Sequence, residues 1–232
     1  MNTMESMLNR VSKNNRQFEE KDLERVLNAM RIIDRKFFVP SAMQNSSYEN
    51  IPLQIGKGQT ISQPSTVAAM LLYAEPEPKM SVLEVGAGSG WNACLIQYLV
   101  HPGKVLAVER ISFLVENTEK NIANLREYLK EKKPKEAAKL NNLRIRTENA
   151  LDENSCIWQK KYDRIIITAG IPLNTDVGDI VQKMADKLLK EKGMLICPEV
   201  EGPLRIYRKN KELTIEQTES RYVFVPLLFG VE

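Results

Sequence analysis

The sequence is short of the residues that most catalytic and metal sites need. Its 232 residues include one histidine and three cysteines, and no CxxC pair occurs. The histidine, His101 in "HPGK", argues against a Ser-His-Asp triad or a multi-histidine metal site, and its Pro-Gly neighbours place it at a helix end or turn. Three distant cysteines, Cys94, Cys156 and Cys197, indicate reduced thiols in a cytosol. We therefore expect a cytoplasmic protein without a metal site.

The chain also has no long apolar run and little net charge. No stretch approaches the roughly 20 apolar residues of a membrane span, and "MNTMESMLNRVSKNNRQFEEKD" shows no secretory signal. Net charge is +3, from 33 basic and 30 acidic residues, which is too balanced to indicate a membrane or nucleic-acid partner. A hydrophobic content of 43% and a charged content of 27% are typical of a soluble globular protein.

Strand and helix patterns alternate along most of the chain. Hydrophobic period predicts a helix over 18–33, an irregular segment with a short strand or helical turn, and a helix that begins at Pro64. Further strands are predicted at 80–86, 104–109, 142–147, 162–169 and 193–198, with helices at 89–100, 111–125 and 173–188. The charged segment 126–139 is predicted as a solvated helix end and loop, and 204–209, 213–218 and 221–229 as antiparallel strands. This order predicts an α/β, doubly wound, mainly parallel sheet.

A glycine turn, "LEVGAGSGW", lies between one of these strands and its helix. Glycines permit a tight turn and the close approach of a ligand, although a close strand–helix crossing has the same pattern. The third glycine comes one residue early for a dinucleotide fingerprint, and the Gly-Lys-Ser/Thr of a P-loop is absent. Glu109 ends the next strand, 19 positions after Gly90. There its carboxylate can accept hydrogen bonds from two ribose hydroxyls; the alternative is a solvated strand-end charge.

Two motifs carry a resemblance to a known family. The E-x-G-x-G-x-G form resembles motif I of class I methyltransferases that use S-adenosylmethionine (SAM). "YENIPLQIGKGQTISQPSTVAAML" resembles the pre-motif segment of protein-L-isoaspartate (D-aspartate) O-methyltransferases, whose hallmark is G-Q-T-I-S-x-P. The resemblance continues through "VLEVGAGSGWNACLI", "VLAVERISFLVENTEKNI" and "YDRIIITAG", and weakly through "YVFVPLLFG".

This resemblance implies a fold and a set of site residues. The fold is one Rossmann-like domain over 1–232, with an N-terminal helical and irregular extension and substrate loop at 1–78 and a SAM-binding core with antiparallel C-terminal edge strands at 79–232. The implied catalytic residues are Ser62, as the orienting residue, and Thr60; Gln59, Ile61 and Val223 would bind substrate. SAM, whose product is S-adenosylhomocysteine, would contact Glu84, Gly86, Ala87, Gly88, Ser89, Gly90, Glu109, Arg110, Asn149 and Ala150.

Three segments depart from the family pattern. Glu148-Asn149-Ala150 stands where the family has Gly-Asp-Gly, although the Asn149 carbonyl oxygen can still accept from an adenine amino group. Ala169-Gly170-Ile171-Pro172 and Lys192-Gly193 also differ from the usual motifs. These differences concern the adenine contacts and the substrate side of the C-terminal half.

The implied reaction is methyl transfer to the free α-carboxyl of isoaspartyl residues in damaged proteins and peptides. Such a carboxyl has a pKa near ~3.5 and is an anion at neutral pH, so no general base is needed. A hydroxyl can orient this anion by one hydrogen bond. Without the resemblance, Ser62 and Thr60 are more simply read as caps of a turn or of the helix at Pro64. Trp91 and Tyr98 are expected in the core, and Lys57 as a solvated charge.

Other functions remain open on the sequence. The same fold could methylate another substrate, such as a different peptide carboxylate or an RNA, or bind SAM without catalysis. A nicotinamide-dependent oxidoreductase is opposed by the glycine spacing. The expected partners are isoaspartyl-containing proteins, with no membrane or nucleic acid, and the sequence does not report the oligomeric state.

Overall fold

The N-terminal third of the chain forms helices and a small hairpin that precede the main sheet. The computed structural model describes residues 2–172 and 174–232. Its first elements are α1 (Met4–Asn14), α2 (Glu20–Ile32), two 3₁₀ helices (Arg35–Phe38 and Ser41–Ser46), the antiparallel pair β1 (Leu53–Gly56) and β2 (Gln59–Ile61), and α3 (Pro64–Ala74). The helices predicted at 18–33 and from Pro64 are confirmed. The segment predicted to be irregular contains the two 3₁₀ helices and the hairpin.

Within the described residues, seven strands form the central sheet, and strands alternate with helices between Ser81 and Pro198. The elements are β3 (Ser81–Val85), α4 (Trp91–Val100), β4 (Lys104–Glu109), α5 (Ser112–Lys132), α6 (Pro134–Ala138), β5 (Leu143–Thr147), β6 (Tyr162–Ile167), α7 (Asp176–Leu188), β7 (Leu189–Pro198), β8 (Glu201–Asn210) and β9 (Glu212–Val223), with a 3₁₀ helix at Cys156–Gln159. The strand order is β5-β4-β3-β6-β7-β8-β9. The pairs from β5 to β7 are parallel, and those of β7 with β8 and of β8 with β9 are antiparallel. The predicted α/β class and its antiparallel edge are confirmed.

Three details differ from the sequence prediction. Helix α5 runs seven residues past the predicted end at 125, to Lys132, so much of the charged segment is helical. Strand β9 ends at Val223, and residues 224–229 continue without regular strand structure. Leu173, the first residue of the predicted helix 173–188, lies outside the described residues, and α7 begins at Asp176.

The sheet separates two hydrophobic clusters because side chains alternate between its faces. On β3, Val82 joins the cluster that contains α1 to α5, whereas Leu83 and Val85 join the cluster under α7. Trp91 is buried at the start of α4, and Tyr98 packs against the same cluster, as expected. Within the two described ranges, no helix is long and apolar enough to cross a membrane.

Candidate active site

A cleft opens at the carboxyl ends of β3, β4 and β6. It encloses about 1010 Å³ of space, part of which is open to solvent, and its walls come from the glycine turn, the β1–β2 hairpin and the segment after β9. In a doubly wound sheet this edge is where ligands bind, since the loops that follow parallel strands converge there. The fold therefore brings the two motifs singled out in the sequence to one place.

The glycine turn has a backbone shape that its glycines make possible. Gly86, Gly88 and Gly90 have φ angles of 93°, 54° and 87°, and side chains disfavour such positive values. Space is also limiting, because a Cβ on Gly86 would stand 2.6 Å from the Thr168 Oγ1. That hydroxyl donates to the carbonyl oxygens of Val85 at 3.0 Å and Gly86 at 2.6 Å. Thr168, the residue that follows β6, thus fixes the turn.

Glu109 lies directly beside this turn. Its Oε2 accepts from the Gly88 N–H at 3.0 Å and its Oε1 from the Ile111 N–H at 3.1 Å. The side chain is buried and lines the cleft, so it is not the solvated strand-end charge of the alternative interpretation. Each carboxylate oxygen has lone pairs left for a further donor. Glu109 can therefore hold the turn and a hydroxyl-bearing ligand at once.

Two buried polar groups on the cleft wall have free acceptor atoms. Asn92 donates through Nδ2 to the Glu84 Oε1 at 2.7 Å, while the Glu84 Oε2 and the Asn92 Oδ1 have no hydrogen-bond partner among the described residues. The pKa of the Glu84 carboxyl is raised to about 8. Burial is the largest cause and the nearby Glu109 charge adds to it, whereas the hydrogen bond from Asn92 acts in the opposite direction. Buried acceptors without donors are costly, so this pair fits a ligand that brings N–H groups, such as an ammonium.

Strand β2 and the residue that follows it contribute Gln59, Thr60, Ile61 and Ser62 to the cleft wall. The capping interpretation of Thr60 and Ser62 is wrong for the helix that follows. Gln63 is the N-cap of α3 and its side chain makes no capping hydrogen bond, while the Asn50 Oδ1 accepts from the Ser65 N–H at 2.9 Å. A more distant residue thus caps α3, and Ser62 and Thr60 line the cleft instead.

The segment after β9 closes the opposite wall. The Gly170 N–H donates to the Val225 carbonyl at 2.7 Å, and the Leu227 N–H to the Gly170 carbonyl at 2.8 Å. Residues Val225, Pro226, Leu227 and Leu228 consequently line the cleft. Val223 does not: it is the last residue of β9 and its exposed fraction is 79%. The predicted substrate contact of Val223 has no support in this geometry, and the cleft wall begins two residues later.

Of the two predicted cofactor residues that follow β5, Ala150 lines the cleft and Asn149 does not. Glu148 and Leu151 also line the cleft. The Asn149 Oδ1 accepts from the Leu151 N–H at 3.2 Å, so it is used in a local turn. Glu148 is held by the Ser155 hydroxyl at 2.7 Å and the Cys156 thiol at 3.2 Å.

The remaining predicted cofactor residues fall on the cleft or beside it. Ala87, Ser89 and Arg110 line it, and Gly90 lies behind the wall as the N-cap of α4. The Arg110 Nε donates to the Gly230 carbonyl at 3.3 Å, which ties the C-terminal segment to β4. No group of three or more His, Cys, Asp or Glu residues that could hold a metal ion occurs in the part of the chain that the structure describes.

Sequence reasoning missed several residues of the cleft. Asn92 and Thr168 are the most important, since they contact Glu84 and the glycine turn. Thr168 could have been found, because it follows β6 at the sheet edge where parallel strands end. Asn92 carries a weaker signal, as it is the second residue of α4 and only its helical position turns it toward Glu84.

A family model matches this arrangement over nearly the whole chain. Residues 3–231 match the model of the protein-L-isoaspartate(D-aspartate) O-methyltransferase family. The chain belongs to this family. The resemblance seen in the hairpin loop and the glycine turn is thereby confirmed.

Individual relatives agree with this membership. The chain is 33% identical over 210 residues to the protein-L-isoaspartate O-methyltransferase of Fervidobacterium nodosum, an alignment that spans 88% of this chain and 93% of the relative. It is 34% identical over 209 residues to the protein of that name from Methanothrix thermoacetophila, with 88% of each chain covered. A crystal structure from Plasmodium falciparum, described as a protein-L-isoaspartate O-methyltransferase in complex with S-adenosyl-L-homocysteine, superimposes with a TM-score of 0.74 and 24% identity over 96% of this chain and 97% of the other. That likeness shows the fold.

Proposed function

We propose that this protein transfers the methyl group of SAM to the free α-carboxylate of L-isoaspartyl and D-aspartyl residues in damaged proteins and peptides, which initiates their repair. The observation that carries the proposal is that the glycine turn and the hydroxyl-bearing residues Thr60 and Ser62 line one cleft. Family membership and the names of the relatives support it. A cytoplasmic location belongs to the same proposal and is supported by three free thiols.

The residues of the cleft fit SAM on chemical grounds. The free acceptors of Glu84 and Asn92 suit the ammonium of its methionine part, and the Glu109 carboxylate suits ribose hydroxyls. Glu148, Ala150 and Leu151 form the wall that we assign to the adenine. The bound cofactor supplies an electrophilic methyl group on a positively charged sulfur.

The hairpin loop then has to hold an anion rather than remove a proton. The substrate carboxylate is ionised at neutral pH, and the reaction gains from alignment and from exclusion of water. Ser62 and Thr60 offer neutral donors, with Ser62 as the orienting residue. A cation in tight contact would stabilise the ground-state anion more than the transition state. Arg110, the only cation that lines the cleft among the described residues, has its Nε bonded to Gly230.

The altered segments motivate one alternative, a SAM methyltransferase for another peptide carboxylate. In the cleft, however, the departures near residue 149 alter the wall assigned to the adenine, while the loop that we assign to the carboxylate keeps the family motif. We therefore favour the isoaspartyl substrate.

The proposal is tested with methyl-labelled SAM and two peptides that differ only in an Asp or an isoAsp linkage. We expect base-labile label on the isoAsp peptide alone. Label on neither peptide, with SAM still bound, would contradict the substrate assignment. Equal label on both would show that the loop does not recognise the linkage.

A further inference from the structure

Arg35 is a fully buried cation whose hydrogen bonds all go to main-chain carbonyls. Its Nη1 donates to Ser47 at 2.9 Å and to Glu49 at 3.2 Å. Its Nη2 donates to Ile51 at 2.9 Å and to Ser62 at 3.2 Å. Burial lowers the pKa of Arg35 to about 10, and the Glu49 charge offsets part of this effect. The residue is thus charged at neutral pH, at a desolvation cost that the four carbonyls offset.

These four carbonyls belong to the segment that builds the substrate loop. Three of them precede the β1–β2 hairpin and the fourth follows it, so a single planar guanidinium joins the two ends of the loop. The contact with Ser62 is made to its main chain. The hydrogen bond from Arg35 therefore fixes the Ser62 carbonyl and leaves the Ser62 side chain free to contact a ligand in the cleft.

Arg35 also contacts the first residue of the helix that follows the glycine turn. Its Cζ lies 5.4 Å from the centroid of the Trp91 ring, a distance at which a cation and an aromatic face attract each other. Trp91 in turn donates through Nε1 to the Ile33 carbonyl at 2.9 Å, two residues before Arg35. The helix that follows the glycine turn and the segment around the β1–β2 hairpin are therefore connected through the Arg35 side chain.

We propose that Arg35 is a positioning residue for methyl transfer, which sets the place of Ser62 relative to the glycine turn. The proposal rests on the function given above. It follows from the geometry that lysine cannot replace arginine here, because an ammonium is a single donor centre and cannot bridge two segments as the guanidinium fork does.

The chain offers a matched control in Arg164. This residue is also buried, with an exposed fraction of 8%, and its guanidinium donates to the carbonyls of Ala74, Asp163 and Glu75. It lies near the amino end of β6, at the edge of the sheet opposite the cleft. Arg164→Lys therefore repeats the chemical change of Arg35→Lys without touching the loop.

Kinetics on an isoAsp peptide at saturating SAM test the proposal through a double-mutant cycle with Ser62→Ala. We expect Arg35→Lys to lower kcat at least about tenfold, since a misplacement of about 1 Å can cost more than that, while the Kd of SAM changes less than about threefold. In the Ser62→Ala background the same substitution should change kcat by less than about threefold, because the residue through which it acts is gone. An equal loss in both backgrounds, or an equal loss in Arg164→Lys, would overturn the proposal.

Amide hydrogen exchange separates this inference from the proposed function. We expect faster exchange of residues 59–63 in Arg35→Lys and no change there in Arg164→Lys, whichever substrate the wild type methylates. Unchanged exchange would overturn the positioning role even in an active enzyme. If wild type labels no isoAsp peptide but exchange rises as expected, the fault lies with the proposed substrate.

Discussion

Gly90 offers a quantitative test of the packing that shapes the glycine turn. It is the N-cap of α4, with φ 87° and ψ 0°, and a Cβ there would lie 2.6 Å from the Thr118 Cγ2. Carbon atoms normally pack at about 3.5–4.0 Å, so Gly90→Ala creates an overlap of roughly 1 Å. We expect about 1–2 kcal/mol from the left-handed backbone and about 1–3 kcal/mol from the overlap.

Thr118→Ser separates the two contributions. It removes the Cγ2 and keeps the hydroxyl, which donates to the Gly88 carbonyl at 2.7 Å, at a cost of about 1 kcal/mol for the lost methyl. In the double variant the overlap disappears, so its loss of unfolding free energy should be about 1–3 kcal/mol smaller than the sum of the single losses.

Urea unfolding gives these free energies when the slope of unfolding free energy against urea concentration is the same for all the variants. Gly58→Ala is the control, because Gly58 has φ 70° and nothing lies within 4 Å of an added Cβ. It therefore reports the backbone cost alone. Additive losses in the double variant, or a loss for Gly90→Ala no larger than that for Gly58→Ala, would refute the steric reasoning.

Two further predictions concern the side-chain acceptors of Glu84 and Asn50. Because burial raises the pKa of Glu84 to about 8, its contribution to stability is present at low pH and is lost as the pH rises from about 4.5 through about 8. The unfolding free energy of the ligand-free wild type should therefore fall between pH 5.5 and 8 relative to that of Glu84→Gln. Parallel pH profiles of the two proteins would contradict this. Asn50→Ala should cost about 0.5–2 kcal/mol of unfolding free energy through the lost cap of α3, whereas Asn50→Asp, which keeps the acceptor, should cost less; equal losses would show that the hydrogen bond to Ser65 is unimportant.

The strands and the glycine turn could be predicted because their signals are local. Apolar runs, the period of the helices and the glycine spacing each depend on neighbours in sequence.

The first helix, α1, is not predicted although its signal is also local. Met4, Met7, Leu8 and Val11 follow the helical period, and Thr3 makes a capping box. This helix could therefore have been predicted from the sequence.

Other features depend on contacts that leave no pattern in sequence. Arg35 binds main-chain carbonyls 12 to 27 positions away. Every residue has such a carbonyl, so the sequence does not show which of them Arg35 contacts. The differences at Val223 and Asn149 have another cause. Val223 is the last residue of β9, whereas Val225 is held at the cleft by the Gly170 N–H, and Asn149 follows β5 and uses its side chain in a local turn. Where a strand ends is the least certain part of a sequence prediction.

We propose that Ser62 orients an already ionised carboxylate toward the methyl donor. The most direct measurement compares Ser62→Ala with wild type on the isoAsp peptide at saturating SAM, together with the Kd of SAM for each protein. We predict a kcat at least about tenfold lower with a Kd for SAM that changes less than about threefold. Full activity in Ser62→Ala would contradict the orienting role, and so would a loss that is explained entirely by weaker SAM binding.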